Sequence, residues 1–273
     1  MYQKTTQLLG AAALCLAVTA LPAAADKLDD IISSGTLRCA ITLDIPPNGF
    51  RDANNEPAGF DVDYCGDLAK ILGVKLEIVE TQLPDRIPAI SSDRADIAVA
   101  STSDTLERAK AAGFSIPYFA YKIVLLTRKD TAINSYADIG GHVGGSVAGS
   151  FEGGLYEKDL KAIDGDKATF RAYQSQSDSV LALTQGQIDA LPIVVTMVKD
   201  LMSKYPNLKV ASETPYVPDY VSIITTRNEY GLINYINLFI NQQVRTGRYA
   251  ELYHKWFGTD ASPVDLTVKG TYR

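Results

Sequence analysis

The chain has 273 residues, enough for one large domain or for two domains of about a hundred residues each. Its net charge is −6 at pH 7, and this acidic balance argues against binding to nucleic acid or to an anionic membrane surface. With three cysteines and two histidines the sequence has no metal-ligand spacing, so we expect neither a metal ion nor another cofactor.

The N-terminal segment has the pattern of a secretory signal peptide. Lys4 gives a positive start, an apolar stretch runs from Leu8 to Leu21, and the small residues up to Ala25 fit a cleavage site. We therefore expect residues 1–25 to be removed and the mature protein to be periplasmic. The alternative is an uncleaved anchor, but the apolar run is short for a span of about 20 residues. No later stretch could cross a bilayer, so we expect no direct membrane insertion.

The first half of the chain alternates strands and helices. The predicted strands are 36–43, 74–80 and one from Ile97; the predicted helices are 61–72 and 85–92. Gly73 is well placed to end the first of these helices. Cys39 falls in a strand and Cys65 on the apolar face of the next helix, which predicts two buried free thiols. A disulfide is the alternative, because the compartment would be oxidising.

The segment from Asp96 to Arg108 predicts a carboxylate site. A short apolar strand is followed by Ser103 and Asp104, which can start a helix, and Glu107 stands at capping-box spacing from Asp104. A cation in the first turn of a helix is electrostatically disfavoured, so Arg108 needs a reason to be there. Its guanidinium could pair with a ligand carboxylate, helped by the Ser103 hydroxyl. The alternative is a solvated arginine on a helix surface.

The second half of the chain repeats the alternation. Its predicted strands are 122–126, 142–147, 169–173, 188–195, 208–211 and 220–225, and its predicted helices are 178–185, 230–246 and 248–257. This order indicates an α/β fold with mainly parallel sheets. The strong strand from Tyr220 would suit a return crossing to the first half.

Several short motifs resemble the extracellular solute-binding proteins of family 3, which serve polar amino-acid ABC transporters. The carriers are 59–63 (GFDVD), 87–90 (IPAI), 94–97 (RADI), 105–110 (TLERAK), 114–118 (FSIPY), 247–249 (GRY) and 255–258 (KWFG). The resemblance implies a two-lobed, type II periplasmic-binding-protein fold, with flanked sheets joined by two β crossover segments. Lobe 1 would comprise 26–122 and 221–273, and lobe 2 would comprise 123–220.

The resemblance also implies a carboxylate-binding half of the cleft between the lobes. Arg108 matches the family's ligand-binding arginine, Ser103 matches the hydroxyl residue before it, and Ser101 would offer a backbone donor. Gly149 and Ser150 are joint candidates for the lobe-2 loop that closes over the carboxylate. A plain glycine-rich turn is the alternative for that loop.

The other half of the implied site departs from the family pattern. Val194 stands where the family usually has the aspartate for the ligand's α-ammonium, and Ile45 and Leu83 replace two aromatic positions. Asp44 is our preferred substitute for the ammonium partner, with a turn residue bonding its own backbone as the alternative. Asp85 and Arg86, which follow Leu83, could reshape the pocket, and Phe60 could contact the ligand or belong to the core.

The function implied by the resemblance is that of a binding protein without catalytic residues. We expect a monomer that closes on a small carboxylate-bearing solute, an amino acid or a derivative, and delivers it to a membrane permease. One alternative is a cyclohexadienyl dehydratase on the same scaffold, for which Glu152 is a conceivable general acid. Another is a binding protein that reports to a membrane receptor.

Overall fold

The computed structural model describes residues 26–260. The predicted signal peptide, 1–25, and the segment 261–273 lie outside the described residues. The helices are α1 Lys27–Ser34, α2 Phe60–Leu72, α3 Arg86–Ser91, α4 Phe151–Asp164, α5 Gln176–Thr184, α6 Val198–Lys204, α7 Tyr230–Arg245 and α8 Arg248–Phe257.

The predicted strands occur in the predicted order, and four further strands were not predicted: the short β2, β3 and β4, and the long β7 through the aromatic stretch. They are β1 Thr36–Ile41, β2 Asp44–Ile45, β3 Gly49–Arg51, β4 Pro57–Ala58, β5 Lys75–Glu80, β6 Ile97–Ser103, β7 Ala112–Tyr121, β8 Ile123–Arg128, β9 Val143–Val147, β10 Thr169–Tyr173, β11 Ala190–Val194, β12 Leu208–Glu213 and β13 Asp219–Thr226.

Two five-stranded sheets define two lobes. The first lobe has the order β5-β1-β6-β13-β7 and the second has β10-β9-β11-β8-β12, while β2, β3 and β4 form a small separate sheet. Helices α2, α3 and α7 pack on the first sheet and α4, α5 and α6 on the second. The predicted two-lobed α/β architecture is therefore present.

Each large sheet is mainly parallel, as the sequence indicated, with one strand running against the other four: β13 in the first sheet and β8 in the second. Strands β1, β5 and β6 run parallel, but β13 is antiparallel to both β6 and β7. In the second sheet β9, β10 and β11 run parallel, and β8 is antiparallel to β11 and β12. The antiparallel pairs involve the strands next to the crossings, β7 into β8 through Lys122 and β12 into β13 through 214–218. The predicted lobe bounds stay a prediction.

The first lobe has a core rich in stacked aromatic rings. Phe60, at the start of α2, is fully buried and its ring lies 5.4 Å from that of Tyr64 and 5.5 Å from that of Phe119. Full burial of one such ring stabilises the fold by roughly 1.5–3 kcal/mol. Phe60 is therefore a core residue, and it does not line the cleft.

Cys39 and Cys65 form a disulfide, so the prediction of free thiols was wrong. Strand β1 lies beneath the apolar face of α2, and both cysteines are fully buried there. This packing brings their Cα atoms to 6.6 Å, within the span that a disulfide can bridge. The alternative considered from the oxidising compartment is the one that the structure adopts.

No α-helix follows β6, which corrects the prediction of a capped helix carrying Arg108. Strand β6 extends to Ser103, and only a single 3-10 turn forms at Arg108–Lys110. The expected capping box is not made; instead the Thr105 hydroxyl accepts a hydrogen bond from the Arg108 backbone N–H at 3.3 Å. Arg108 therefore sits on a tight loop, and a helix dipole does not act on it.

Within residues 26–260, no helix combines the length and the hydropathy that a membrane crossing requires.

Candidate functional site

A cavity between the lobes collects most of the predicted site residues, and we call it the central cavity. Strands of the first sheet contribute Ser101, Ser103, Tyr121 and Asp219, while β2, the 3-10 turn before α3 and α3 itself contribute Ile45, Leu83 and Arg86. The second lobe contributes Ser150, Phe151, Glu152, Gln176 and Val194. The cavity therefore holds charged, hydroxyl and apolar groups side by side.

Arg86 enters the central cavity from the first turn of α3 and is only 4% exposed. Its Nε donates to the Leu83 carbonyl at 2.7 Å, and its Nη1 donates to the carbonyls of Ala100, at 3.1 Å, and Ser101. Burial, reinforced by the neighbouring Arg108, lowers the pKa of Arg86 to about 9. The guanidinium thus stays charged at pH 7 and brings a positive charge into the cleft.

Arg108 lies at the edge of the same space. Its Nη1 donates to the Ser103 carbonyl at 3.2 Å and its Nη2 donates to the Gly149 carbonyl at 2.7 Å. Arg86 Nη2 donates to the same Gly149 carbonyl at 3.0 Å. Two guanidinium groups of the first lobe therefore meet one carbonyl of the second lobe, and Arg108 borders the central cavity without lining it.

Gly149 and Ser150, the joint candidates for the second-lobe loop, have different roles. Gly149 has a φ of +73°, and a Cβ at this position would lie 3.2 Å from the Cα of Pro84 in the first lobe. Because glycine has no Cβ, the second-lobe loop can approach Pro84 this closely. Ser150 is the N-cap of α4, accepting from the Gly153 N–H at 3.1 Å, and its side chain lines the central cavity.

Ser103 and Asp219 form a buried pair. The Ser103 hydroxyl donates to Asp219 Oδ2 at 2.9 Å, and both residues are at least nine-tenths buried. Burial raises the pKa of Asp219 to about 7, with the carboxylate of Glu152 acting in the same direction. The hydrogen bond from Ser103 and the two arginines oppose this rise.

Glu152 lies in the first turn of α4, directly after Ser150 and Phe151, and is 8% exposed. Burial raises the pKa of its carboxyl group above the ordinary value, while its own backbone N–H and the two arginines oppose the shift. Glu152 and Asp219 therefore share the cavity with Arg86, while Arg108 lies at its edge, and the carboxylate of Glu152 favours the protonated form of Asp219.

Ser101 adopts a left-handed conformation, with φ +52°, in the middle of β6. Its hydroxyl lies 2.7 Å from the Tyr121 hydroxyl, and its backbone N–H donates to the Tyr118 hydroxyl at 3.3 Å. The predicted backbone donor is thus engaged within the protein. Backbone strain of this kind is concentrated at functional sites.

The remaining predicted residues separate into two groups. Ile45, Leu83 and Val194 line the central cavity as an apolar wall. Asp44 does not line it; its Oδ2 accepts from the Gln176 N–H at 2.8 Å, at the start of α5 across the cleft. The structure thus gives Asp44 a contact with a helix N-terminus, and does not place it beside the arginines.

Sequence reasoning missed the importance of Arg86, Asp219 and Tyr121. Arg86 was noted only as a residue that could reshape the pocket, and Asp219 was not considered. A signal was present for both: each is a charged residue at the boundary of a strongly apolar element, Asp219 before the strand 220–225 and Arg86 before the apolar helix 87–90. Glu152 was considered, but only for the enzymatic alternative.

Comparison with known proteins identifies the family. The model of the bacterial extracellular solute-binding proteins, family 3, matches residues 37–259. The chain belongs to that family. Among curated relatives, it is 25% identical over 238 residues to the L-cystine-binding protein TcyJ of Escherichia coli K12, covering 86% of this chain and 87% of TcyJ.

Another curated relative is the cyclohexadienyl dehydratase of Pseudomonas aeruginosa, which is 43% identical over 117 residues. That match covers 43% of this chain and 43% of the dehydratase. Among solved structures, the ancestral amino acid-binding protein AncCDT-1, described as a precursor of cyclohexadienyl dehydratase, has a TM-score of 0.74 at 29% identity and covers 85% of this chain and 100% of its own. A mutant of ArgBP from T. maritima has a TM-score of 0.78 at 28% identity, with 85% and 100% covered.

Proposed function

We propose that this protein is the substrate-binding component of an ABC importer and closes on a small carboxylate-bearing solute. The observation that carries the proposal is the pair of arginines at the cleft. Neither Arg86 nor Arg108 forms an ion pair with a carboxylate in the described part of the chain. Since a buried charge is costly unless it is paired, an anionic ligand would stabilise both groups.

Closure of the lobes supports the same proposal. Gly149, from the second lobe, accepts hydrogen bonds from both arginines of the first, so the positive charges lie where the lobes meet. A ligand shifts a conformational equilibrium only through differential contacts with its two states. A carboxylate held by Arg86 and Arg108 on one side and by the loop at Ser150 on the other would contact both lobes only when the cleft is closed.

We assign the cellular role by relation to the family. Relatives that match most of this chain are amino-acid-binding proteins, among them TcyJ and the glutamine-binding protein GlnH of Bacillus subtilis. A periplasmic monomer that delivers an amino acid or a derivative to a membrane permease fits these relatives. Cleavage after Ala25 belongs to this proposal, and N-terminal sequencing of the exported protein tests it.

A thermal-shift screen tests the binding function. We expect a ligand among amino acids, opines, betaines and simple carboxylic acids to stabilise the protein, by about 2.7 kcal/mol at a hundred times its Kd. Uptake of the identified compound by cells lacking the protein then tests the importer role. No stabilisation by any of the four classes would overturn the binding proposal.

A second candidate function is dehydration of a cyclohexadienyl substrate, and Glu152 is the observation that favours it. Such an elimination needs a general acid to protonate the departing hydroxyl, and a buried carboxyl with a raised pKa beside two arginines has the required character. The partial match to the P. aeruginosa dehydratase points the same way.

Incubation with prephenate or arogenate, followed by the absorbance of an aromatic product, separates the two candidates. Turnover that is lost in Glu152→Gln and kept in Glu157→Gln, a half-buried residue of the same helix outside the central cavity, would establish the enzyme. Absence of product with tight binding of an amino acid would leave the importer component.

A further inference from the structure

We propose that Asp44 is a positioning residue that holds the two lobes together at α5, with or without ligand, and so sets the ligand affinity without touching the ligand. The inference rests on the proposed binding function and concerns how closure of that cleft is controlled. Asp44 lies on β2, in the small sheet that packs on α2 of the first lobe. Its Oδ2 accepts from the Gln176 N–H, in the second lobe, at 2.8 Å. Any opening that moves α5 away from β2 breaks this bond.

The donor of this bond is a group that helix α5 leaves without a partner. Gln176 is the first residue of α5, and the first N–H groups of a helix have no intrahelical acceptor. The Ser175 hydroxyl, at the N-cap, accepts from the Asp178 N–H at 3.0 Å and so does not serve Gln176. Burial raises the pKa of Asp44, and the bond from Gln176 opposes the rise. The bond therefore offsets part of the cost of removing the Asp44 carboxylate from water.

The next residue of β2 adds an apolar contact between the lobes. Ile45 is 6% exposed and belongs to the buried cluster of the second lobe that also contains Val180 of α5. Strand β2 packs against α5 as a whole. Asp44 itself does not line the central cavity, and its bond is separate from the one that Gly149 makes with the two arginines. Closure therefore has a contribution that does not depend on the ligand.

A contact of this kind changes affinity in a characteristic way. Apparent affinity depends on how favourable the binding-competent closed form is. A bond that forms only in the closed protein and does not touch the ligand multiplies the affinity for every ligand by the same factor. Selectivity between ligands is then unchanged. The loss should appear in the dissociation rate, because a ligand enters the open cleft and leaves after the cleft has reopened.

Small-angle X-ray scattering of the ligand-free protein tests the closure directly. Asp44→Ala should have a larger radius of gyration than the wild type, because the open form gains population. Asp178→Ala is the matched control: it removes an exposed acid from the first turn of the same helix and should leave the radius of gyration unchanged. Equal radii for Asp44→Ala and the wild type would overturn the inference.

Affinity measurements test the effect on binding. The probes are two compounds of the thermal-shift panel that stabilise the wild-type protein, for example L-glutamine and L-alanine. Asp44→Ala should weaken both by the same factor, about three- to tenfold, which is the range expected for one hydrogen bond. The association rate should not fall. Asp44→Asn keeps an oxygen acceptor and should lose less than Asp44→Ala.

A second pair of variants removes the donor in place of the acceptor. Proline fits the first position of a helix and has no N–H, and the extended backbone of Ser175 suits a following proline. Gln176→Pro and Gln176→Ala both remove the side chain that lines the central cavity, so their difference reports the N–H alone. Gln176→Pro should bind more weakly than Gln176→Ala, and this difference should disappear when Asp44→Ala is also present.

The possible failures can be told apart. A changed ratio of the two affinities in Asp44→Ala would mean that Asp44 contacts the ligand, and equal affinities of the two Gln176 variants would mean that the bond does not hold the cleft. Either result overturns this inference and leaves the binding function intact. If no compound of the panel binds, the proposed function is wrong, whereas the scattering comparison still decides whether Asp44 holds the lobes together.

Discussion

The first-lobe core and the central cavity each bury an aspartate, but the surroundings of the two carboxyl groups differ. Asp61, in the core, is 1% exposed and accepts a hydrogen bond from the Tyr118 hydroxyl at 3.0 Å. Asp219, in the cavity, is 6% exposed and accepts from Ser103, but it also lines open space beside Glu152. Burial raises the pKa of both carboxyl groups.

The two carboxyl groups differ in their charged neighbours and in their access to a ligand. No charged side chain affects the pKa of Asp61, and it is surrounded by packed aromatic rings. Asp219 is next to a second acid and two arginines and faces a cavity that a ligand can enter. A raised pKa therefore marks burial in both places, and only the cavity makes it an indication of function.

Asp219→Asn should produce the largest change, and it should be stabilising. The pKa of Asp219 is about 7 in the folded protein and about 3.9 in an unfolded chain, so the folded state binds the proton more tightly. Its contribution to stability is therefore full below pH 4, falls as the pH rises to 7 and stays low above that. Asparagine does not titrate and can still accept from Ser103, so the variant should gain at most about 4 kcal/mol at pH 8.

Urea unfolding of both proteins at pH 4 and pH 8 measures this change. The stability difference should be small at pH 4 and largest at pH 8, and Glu157→Gln should stay within about 0.5 kcal/mol of the wild type at both. A variant that is less stable at pH 8 would show that Asp219 contributes more through its ionised contacts than burial costs it.

Removing the disulfide tests whether the first-lobe core contributes to stability without affecting ligand binding. The double change Cys39→Ala and Cys65→Ala opens a loop of sequence separation 26 and should lower the free energy of unfolding by about 3 kcal/mol. The bond lies between β1 and α2, away from the central cavity, so the Kd for a ligand should not change. A Kd that rises together with the stability loss would mean that the core also sets the geometry of the cleft.

Arg108→Ala should abolish ligand-induced stabilisation, which is about 2.7 kcal/mol at a hundred times the Kd. The fold should survive because the two hydrogen bonds that Arg108 donates go to carbonyls at the cleft edge. The thermal-shift assay with the best ligand of the panel measures this, and Arg94→Ala, an exposed arginine, is the control. Unchanged stabilisation in the variant would leave Arg86 as the carboxylate-binding residue.

Much of the fold was predictable because its signals are local. The apolar periodicity of α2 and α7, the glycine after α2 and the β-rich run of β13 depend on neighbouring residues, and these elements form as expected. The loop at Asp104 was mispredicted for a related reason. Its capping residues favour a helix locally, but pairing of Ser103 with Val221 extends β6, and a single 3-10 turn follows.

The candidate site was less predictable because its chemistry depends on distant parts of the chain. Arg86, Glu152 and Asp219 meet only after the lobes fold and approach each other, and nothing in their separate sequence contexts reveals the charges that each would face. The same applies to Cys39 and Cys65, whose pairing depends on how α2 packs over β1. Asp44 shows the converse, since its position before Ile45 suggested a partner for a ligand ammonium, whereas its carboxylate accepts a hydrogen bond from the N-terminus of α5 across the cleft.

Asp61→Ala should have the smallest effect on stability, and it tests directly whether the core aspartate influences the central cavity. The change leaves the buried Tyr118 hydroxyl without its acceptor, which should lower the free energy of unfolding by about 2 kcal/mol. The ligand Kd should stay the same if the core is energetically separate from the cavity. Tyr118 is the one connection to examine, because its hydroxyl also accepts from the Ser101 N–H at 3.3 Å, and Ser101 lines the cavity.

Tyr118→Phe separates the two contributions, since it removes the hydroxyl and keeps the ring in the aromatic core. If Asp61→Ala and Tyr118→Phe both leave the Kd unchanged, the strained backbone at Ser101 is held by β6 and by the Arg86 hydrogen bonds to Ala100 and Ser101. If both weaken binding by a similar factor, the buried acid of the core acts through Tyr118 on the cavity. The division between a structural aspartate and a functional one would then be wrong for Asp61.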